Sequence, residues 1–208
     1  MLGSHDSFTY LKTGNILIDA ASRFWRCQEK TIDEQYKCGV RVFDVRVIDS
    51  NEDGFIWWRV GHGLAKVKQR FINLENICLY FKQQYPEAII RIILESGGNN
   101  ESIVERFKNE SETILNKYKE IIWEIVIKKP WIYIYQSGMF KTIDDVTCKL
   151  FNWNLSESIW DNLKHFEITS SSIKTWAKKH NPTKITKKMK EDKKILYFMD
   201  YVGTYPKL

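Results

Sequence analysis

Few residues of this chain have the chemistry of a general acid or base near neutral pH. Histidine is the side chain that titrates closest to neutrality, and the chain has four: His5, His62, His165 and His180. No two of them have the i, i+4 spacing of a helical metal pair, and the four cysteines form no C-x-x-C motif. The sequence therefore indicates no zinc site, and acid–base chemistry has few candidates. His165 and His180 lie in no motif and are interpreted as surface residues.

Ionisable residues stand at or directly after the ends of several predicted strands. Side chains alternate along a strand, so two such residues at positions i and i+2 project on the same face. In a barrel of alternating strands and helices, the carboxyl ends of the strands form one rim, where active sites are built. Any one of these residues alone is consistent with a surface salt bridge, but together they indicate a site. They are Asp44 with Arg46, His62, Glu95 and Asp200.

The elements that must position these side chains follow from apolar patterning. Short β-branched and aromatic runs predict five strands, and helical periodicity predicts two helices, at 74–81 and 103–121. Strands that alternate with helices imply an α/β fold with a parallel sheet or barrel. The predicted strands are Val40–Val47, Phe55–Val60, Ile89–Leu94, Trp131–Tyr135 and Ile195–Tyr201.

Composition supports one soluble globular unit. The chain has 208 residues, of which 43% are hydrophobic, and this is enough for one sizeable core. No repeat or linker divides it, so residues 1–208 are predicted to form a single domain. No segment has the length and apolarity of a membrane span, and the first residues do not form a signal peptide. The cellular compartment is left open.

The charge pattern leaves a choice of anionic partner. The net charge is +6, and nine lysines fall between Lys174 and Lys194. A run of this kind is most often a solvated surface, but it is also compatible with a peripheral contact to an anionic membrane. A basic nucleic-acid-binding protein is a third class to consider. The chain has no nucleic-acid-binding motif, and we predict no nucleic-acid partner.

Four short blocks together resemble one enzyme family. In order they are Gly3-Ser4-His5-Asp6-Ser7, Gly39-Val40-Arg41-Val42-Phe43-Asp44-Val45-Arg46, Gly61-His62-Gly63 and Met199-Asp200-Tyr201-Val202-Gly203. Their combination and order resemble the catalytic domain of phosphatidylinositol-specific phospholipase C of bacterial type. The resemblance implies a TIM-type (β/α) barrel, distorted or incomplete in a chain of this length. It covers most of the first half of the chain and its last ten residues.

The resemblance also implies an activity and a set of roles. The activity is that of a phosphoric diester hydrolase, or phosphatidylinositol diacylglycerol-lyase, that cleaves a phosphoinositide or related diester through a cyclic phosphodiester. His5 would be the general base and His62 the general acid, with Asp200 orienting the first and Asp6 the second. Arg46, held by Asp44, would stabilise the negative charge of the transition state. The partner would be a phospholipid headgroup or a small phosphodiester.

Arg46 bears on the question of a metal cofactor. The calcium-dependent branch of the family has an acidic residue at this position, so Arg46 favours an enzyme without a metal. The minor alternative is a calcium site built from Asp44 and Glu95. A salt bridge between Arg46 and Glu95 is the preferred interpretation, because an arginine at the centre of such a site would repel the ion.

Further expectations concern the rim and the first strand. Glu95, Tyr133 and Tyr135 are candidate substrate-binding residues, since a tyrosine at the rim can stack on a sugar ring or support a headgroup. Members of the family carry a strand before the loop that holds the first histidine. Only four residues precede His5 here, and we expect that strand to be missing. The alternative to an enzyme is a catalytically silent barrel that serves as a binding or structural module.

Overall fold

The computed structural model describes most of the chain, namely residues 1–97, 100–128, 135–141, 147–150, 172–191 and 195–204. The strands are β1 (Leu2–Ser4), β2 (Val40–Glu52), β3 (Phe55–His62), β4 (Ala65–Phe71), β5 (Ile89–Ser96), β6 (Ile122–Lys128), β7 (Tyr135–Lys141), β8 (Thr147–Leu150) and β9 (Ile195–Met199). The α-helices are α1 (Ile16–Ala20), α2 (Ile32–Lys37), α3 (Leu74–Gln84), α4 (Glu101–Tyr118), α5 (Ile173–His180) and α6 (Lys187–Glu191), with 3₁₀ turns at Ser22–Phe24 and Lys119–Ile121.

The strands form one mixed sheet that curls into a partial barrel. Its order is β7-β6-β5-β2-β1-β9-β8. The neighbours from β6 to β8 along this path are parallel, whereas β7 is antiparallel to β6. Among the residues that the structure describes, no ladder joins β7 to β8, so the barrel is open there. The predicted distorted or incomplete (β/α) barrel is confirmed.

The first strand is present, contrary to the expectation from the sequence. β1 has only three residues, but all are buried, and they pair in parallel with β2 on one side and β9 on the other. The central place of β1 explains how so short a strand is held, since both of its edges are covered. The expectation was wrong because the strand needs no more than the residues from Leu2 to Ser4.

The hairpin after β2 departs from the predicted parallel pattern. β2 continues to Glu52, beyond the predicted end at Val47, and turns back through Asp53 and Gly54. Both turn residues have positive φ, 56° and 79°, the conformation that an Asp-Gly hairpin turn favours. β3 therefore runs antiparallel to β2 and pairs Val60 with Val47. His62 reaches the rim because β3 returns to it, and not because a parallel strand ends there.

Helices α3 and α4 cover the outer face of the sheet. Asn73 and Asn100 cap their first turns, and each side chain accepts hydrogen bonds from backbone amides. The apolar faces of both helices are buried in the main core, which includes Phe81 and Phe107. This packing fixes β5, and with it the position of Glu95.

Some predicted elements lie partly outside the described residues. Residues 131–134 of the predicted strand Trp131–Tyr135 are outside them, and the described part of the chain resumes at Tyr135, in β7. The last strand ends at Met199, two residues before the predicted end, which leaves Asp200 in the turn that follows. Over the part of the chain that is described, none of the helices is both long and apolar enough to cross a membrane.

Candidate active site

His5 and Asp200 form a buried pair at the end of two neighbouring strands. β1 ends one residue before His5, and the backbone amide of His5 donates to the carbonyl oxygen of Met199. This contact ties the start of the loop to β9. Nδ1 of His5 lies 2.7 Å from Oδ1 of Asp200. Because a carboxylate can only accept, it keeps the proton on Nδ1 and leaves a lone pair on Nε2.

Arg46 links three members of the site. Its Nε donates to Oδ2 of Asp44 at 3.0 Å, and its Nη1 donates to Oε2 of Glu95 at 3.2 Å. Its Nη2 lies 2.5 Å from Nε2 of His5. Only 2% of Arg46 is exposed. The guanidinium is thus held in one orientation inside the barrel, in contact with the free nitrogen of His5.

Asp44 and Glu95, the two carboxylates that bond to Arg46, stay ionised although they are buried. Burial favours the neutral acid of Glu95, but the nearby charges of Arg46 and Lys128 outweigh it and lower its pKa to about 2. Nζ of Lys128 lies 2.5 Å from Oε1 of Glu95. Burial also tends to raise the pKa of Asp44, but the positive charges of Arg46 and Arg91 outweigh it and lower that pKa below its ordinary value.

His62 faces His5 across the opening of the barrel. The two rings are 6.3 Å apart between centroids and nearly perpendicular, at 84°. Nδ1 of His62 lies 2.9 Å from the carbonyl oxygen of Trp25. Burial lowers the pKa of His62 to about 4; the charge of Glu95 opposes this effect, and that of Arg46 adds to it. The ring is therefore neutral in the free protein at neutral pH.

The glycines on either side of His62 have structural roles. A Cβ atom on Gly61 would lie 2.1 Å from the carbonyl oxygen of Ala65, so only glycine fits at this position near the end of β3, where β4 passes close by. Gly63 has a φ of 59°, which a side chain rarely adopts. Its amide donates to Oε1 of Glu95 at 2.9 Å. The turn that carries His62 is therefore attached to the end of β5.

Asp6 does not orient His62 as directly as the sequence suggested. Its Oδ2 lies 3.5 Å from Nδ1 of His62 and 3.8 Å from Nε of Arg46, in both cases without a hydrogen bond. The carbonyl group of Trp25 takes the hydrogen bond instead, because it lies closer to the ring. Asp6 is fully buried with a φ of 47°, and burial raises its pKa well above the ordinary value, although Arg46 opposes the rise.

Residues that the sequence analysis did not select hold the catalytic loop. The Gln28 side chain donates to the carbonyl oxygens of His5 and Met199 and accepts from the amide of Val202. The Thr9 hydroxyl donates to the carbonyl oxygen of Asp6 and accepts from the amide of Gln28. These contacts fix the loop after β1 against the segment after β9. No local motif marks Gln28 or Thr9, so the sequence offered no signal for them.

Two further residues were missed, and one of them had a signal. Lys128 is the last residue of β6, which was not predicted as a strand. Had β6 been predicted, Lys128 would have been selected as an ionisable residue at the end of a strand. Cys27 is buried near both histidines, with its Sγ 3.7 Å from Nδ1 of His62. Of the predicted substrate-binding residues, Glu95 lies in the site. Tyr133 and the side chain of Tyr135 lie outside the described residues.

An apolar groove opens beside His62. It has a volume of about 440 Å³ and lies between α1, the 3₁₀ turn at Ser22–Phe24 and the β3–β4 turn. Leu17 and Leu64 on its walls are 81% and 92% exposed. Its lining is almost entirely carbon, and among the residues that the structure describes His62 is the one ionisable side chain on its walls. The lining residues are Leu17, Ile18, Ala21, Phe24, Trp25, His62, Gly63, Leu64 and Ala65.

Solved structures of similar fold support the resemblance seen in the sequence. Phosphatidylinositol-specific phospholipase C from Listeria monocytogenes has 15% identity with a TM-score of 0.56, and the match covers 99% of this chain and 89% of that one. The chain has the fold of the bacterial phosphatidylinositol-specific phospholipases C. A variant of the Staphylococcus aureus enzyme has 18% identity and a TM-score of 0.54 over 98% of this chain and 85% of that one.

A third structure, of S. aureus phosphatidylinositol-specific phospholipase C in a study of the modulation of its membrane binding, has 18% identity and a TM-score of 0.53. It covers 98% of this chain and 86% of its own. No family model and no curated protein matches the sequence. At this identity the likeness to the phospholipases C concerns the fold, and the chemistry of the site has to be argued from its own residues.

Proposed function

We propose that the protein is a metal-independent phosphodiesterase of the phosphatidylinositol phospholipase C type. The observation that carries the proposal is the placement of two histidines on opposite sides of the barrel opening, with Arg46 between two carboxylates and next to His5. A base, an acid and a fixed positive charge are the groups that phosphodiester cleavage by an internal hydroxyl requires.

His5 acts as the general base in this proposal. Asp200 holds the proton on Nδ1, so Nε2 is available to remove a proton from a hydroxyl of the substrate headgroup. The alkoxide oxygen that forms attacks phosphorus. In the free protein Nη2 of Arg46 contacts this same nitrogen. Substrate must therefore draw the guanidinium from His5 to a nonbridging phosphate oxygen, which exposes the base as the diester binds.

His62 acts as the general acid. The bond from phosphorus to the leaving oxygen breaks, and protonated His62 donates a proton to that oxygen. A bound diester carries a negative charge, which favours the imidazolium form and offsets the effect of burial on the pKa of His62. The products are a free alcohol and a cyclic phosphodiester. A second passage in the reverse roles, with water as nucleophile, opens the ring.

The groove indicates the leaving group. His62 lines it, so the alcohol that receives the proton from His62 leaves next to the apolar walls. Diacylglycerol suits such walls, whereas a soluble polar alcohol gains nothing from them. The exposed Leu17 and Leu64 line the groove, and with Ile16, the exposed neighbour of Leu17 in the chain, they offer a surface that can contact a lipid bilayer. The proposed substrate is therefore a glycerophospholipid at a membrane surface.

The donor set favours catalysis without calcium. Asp44 and Glu95, the residues of the calcium alternative, both accept hydrogen bonds from Arg46. Glu95 also contacts Lys128. Calcium takes six to eight oxygen ligands. Here the cationic side chains of Arg46 and Lys128 fill the space beside the two carboxylates and neutralise their charge. Arg46 supplies the positive charge in its place.

The proposal is tested by release of headgroup from vesicles that contain phosphatidylinositol, phosphatidylglycerol or phosphatidylcholine. The first two headgroups carry a hydroxyl next to the phosphoester and can form a ring, whereas choline cannot. We expect release of inositol phosphate in the presence of a chelator, and none of choline phosphate. Equal release of choline phosphate would contradict the internal-hydroxyl mechanism. Absence of any release from folded protein would favour the catalytically silent barrel.

A further inference from the structure

A buried thiol lies between the two histidines and has no part in the proposed reaction. Cys27 is 1% exposed, and its Sγ lies 3.7 Å from Nδ1 of His62. Its backbone amide donates to the hydroxyl of Thr9, which also bonds the carbonyl oxygen of Asp6. The same loop contacts thus bring the thiol and Asp6 to one side of His62.

The three side chains have the spacing of metal ligands. One ligand atom from each of Asp6, Cys27 and His62 lies within 4.8 Å of the other two. Zinc bonds of about 2.0 to 2.3 Å in a tetrahedron place neighbouring ligand atoms about 3.4 to 3.6 Å apart. Oδ2 of Asp6 is 3.5 Å and Sγ of Cys27 is 3.7 Å from Nδ1 of His62. Two edges of the triangle therefore fit a tetrahedral ion with shifts of a few tenths of an ångström.

Asp6 provides an independent indication of a ligand. Its side chain is fully buried, and neither carboxylate oxygen accepts a hydrogen bond from any residue in the described ranges. Buried carboxylates are normally satisfied by hydrogen bonds or by a cation. The nearest positive charge, Nε of Arg46, is 3.8 Å away and donates to Asp44 instead.

We propose that Asp6, Cys27 and His62 bind a thiophilic divalent cation of the zinc class, and that this cation inhibits the protein. A thiolate with an imidazole and a single carboxylate selects zinc-like ions over calcium or magnesium, which prefer oxygen ligands. Binding releases the thiol proton to solvent. His62 coordinates through Nδ1 as the tautomer protonated on Nε2, and the hydrogen bond to Trp25 is given up.

A neighbouring set of side chains fits an ion less well. His5, Cys27 and Asp200 also have ligand atoms within 4.8 Å of one another. However, Nδ1 of His5 is only 2.7 Å from Oδ1 of Asp200, which is a hydrogen-bond distance. It is too short for two atoms that share a tetrahedral ion. An ion there would have to break the best-formed contact of the site.

Inhibition follows from the residues that the ion occupies, and this part of the inference rests on the proposed function. His62 bound through Nδ1 to a cation is a poor proton carrier, because the ion disfavours the imidazolium. Zinc would therefore act as a reversible inhibitor, relieved by a chelator.

The first test measures the site without any substrate. Cobalt(II) is titrated into the reduced wild-type protein, and ligation of a thiolate is read from the sulfur-to-cobalt charge-transfer band in the near ultraviolet. We expect one equivalent of cobalt to produce the band, and zinc to displace it. Cys27→Ala should abolish it. Cys38→Ala is the matched control, since Cys38 is buried at the end of α2 and belongs to neither ligand group.

A second variant tests the site in case Cys27→Ala does not fold. Asp6→Asn keeps a residue that tolerates positive φ and should weaken zinc binding at least about tenfold while the band remains. Absence of the band in wild type, or its persistence in Cys27→Ala, would overturn the site.

Vesicle assays test the inhibition. The zinc concentration that halves the rate, measured for each protein against its own rate without zinc, should be lower for wild type and Cys38→Ala than for Cys27→Ala. Equal inhibition of all three proteins by zinc would show that zinc does not inhibit through this site. Inactive protein that still shows the cobalt band would reject the proposed function and leave the site standing.

Discussion

Nη2 of Arg46 lies 2.5 Å from Nε2 of His5, so the side chain proposed to neutralise phosphate covers the nitrogen proposed to remove a proton. This contact couples phosphate binding by Arg46 to the availability of His5 as a base. A guanidinium that moves to a bound phosphate exposes the base in the same step, whereas in the free protein the base is protected. The planar guanidinium moves as one rigid group, so this shift also changes its contacts with Asp44 and Glu95.

Replacement of Arg46 by lysine should lower kcat by about 10²- to 10³-fold, the usual loss for a fixed donor to a developing charge. One ammonium cannot keep the geometry of three contacts to Asp44, Glu95 and the substrate. Arg41→Lys is the matched control, because Arg41 lies on the same strand and pairs with the exposed Glu87. Steady-state kinetics on vesicles measures both. Equal rates for the two variants would show that Arg46 is not needed in the transition state.

Asp200→Asn should reduce kcat by about 10²- to 10⁴-fold with little change in KM. An amide can present its NH₂ group to Nδ1 of His5, which puts the proton on Nε2 and removes the base. Asp33→Asn serves as the control, since Asp33 forms an exposed pair with Lys37. NMR of the imidazole nitrogens reports the tautomer directly. A variant with the wild-type tautomer and normal activity would refute the role of Asp200.

Glu95 should make stability depend on acid pH. Its pKa in the folded protein is about 2, below the ordinary value of 4.5, so its ionised form stabilises the fold. The stabilisation, on the order of 2 to 3 kcal/mol, is fully present above about pH 4.5 and is lost as pH falls toward 2.

Urea unfolding of wild type and Glu95→Gln between pH 3 and pH 7 measures this contribution. The difference in free energy of unfolding should be largest at neutral pH and should shrink with acidification. Glu87→Gln, at an exposed pair, should show a small difference that hardly varies with pH. A Glu95 difference independent of pH would mean that the carboxylate does not carry the stabilisation.

The exposed apolar residues beside the groove should matter for lipid but not for soluble substrate. Leu17→Ser with Leu64→Ser should weaken vesicle binding by about 100-fold or more, because each leucine that enters the bilayer contributes about 1.5 to 3 kcal/mol. Cleavage of a soluble glycerophosphoinositol should remain. Ile72→Ser is the control, since Ile72 is 61% exposed and does not line the groove. Equal losses in vesicle binding for control and double variant would exclude a specific membrane face.

The sequence predicted the residues of the site better than their contacts. Asp44, Arg46, Glu95 and Asp200 come together because each follows the alternation or the end of a strand, and this can be read from local pattern. His5 was selected only through the resemblance, because the strand before it was not predicted. The hydrogen bond of His62 to Trp25 could not be read in this way. It depends on a loop between α1 and α2 that is near His62 only after the sheet has formed.

The errors in the fold have physical reasons. β1 was missed because three residues carry too little periodicity to mark a strand, and its stability comes from pairing on both edges. β6, which follows the predicted helix at 103–121, was not predicted as a strand, since a fully buried strand lacks alternation. The antiparallel return of β3 depends on the Asp53-Gly54 turn, whose signal was present in the sequence.

Phosphorus NMR of phosphatidylinositol with wild-type protein and His5→Ala, each in calcium or in chelator, tests the central claim most directly. We predict that wild type produces a cyclic phosphodiester signal at the same rate in both conditions, and that His5→Ala produces none on the same time scale. A signal that requires calcium would contradict the role of Arg46. A signal of equal size from folded His5→Ala would contradict the two-histidine mechanism.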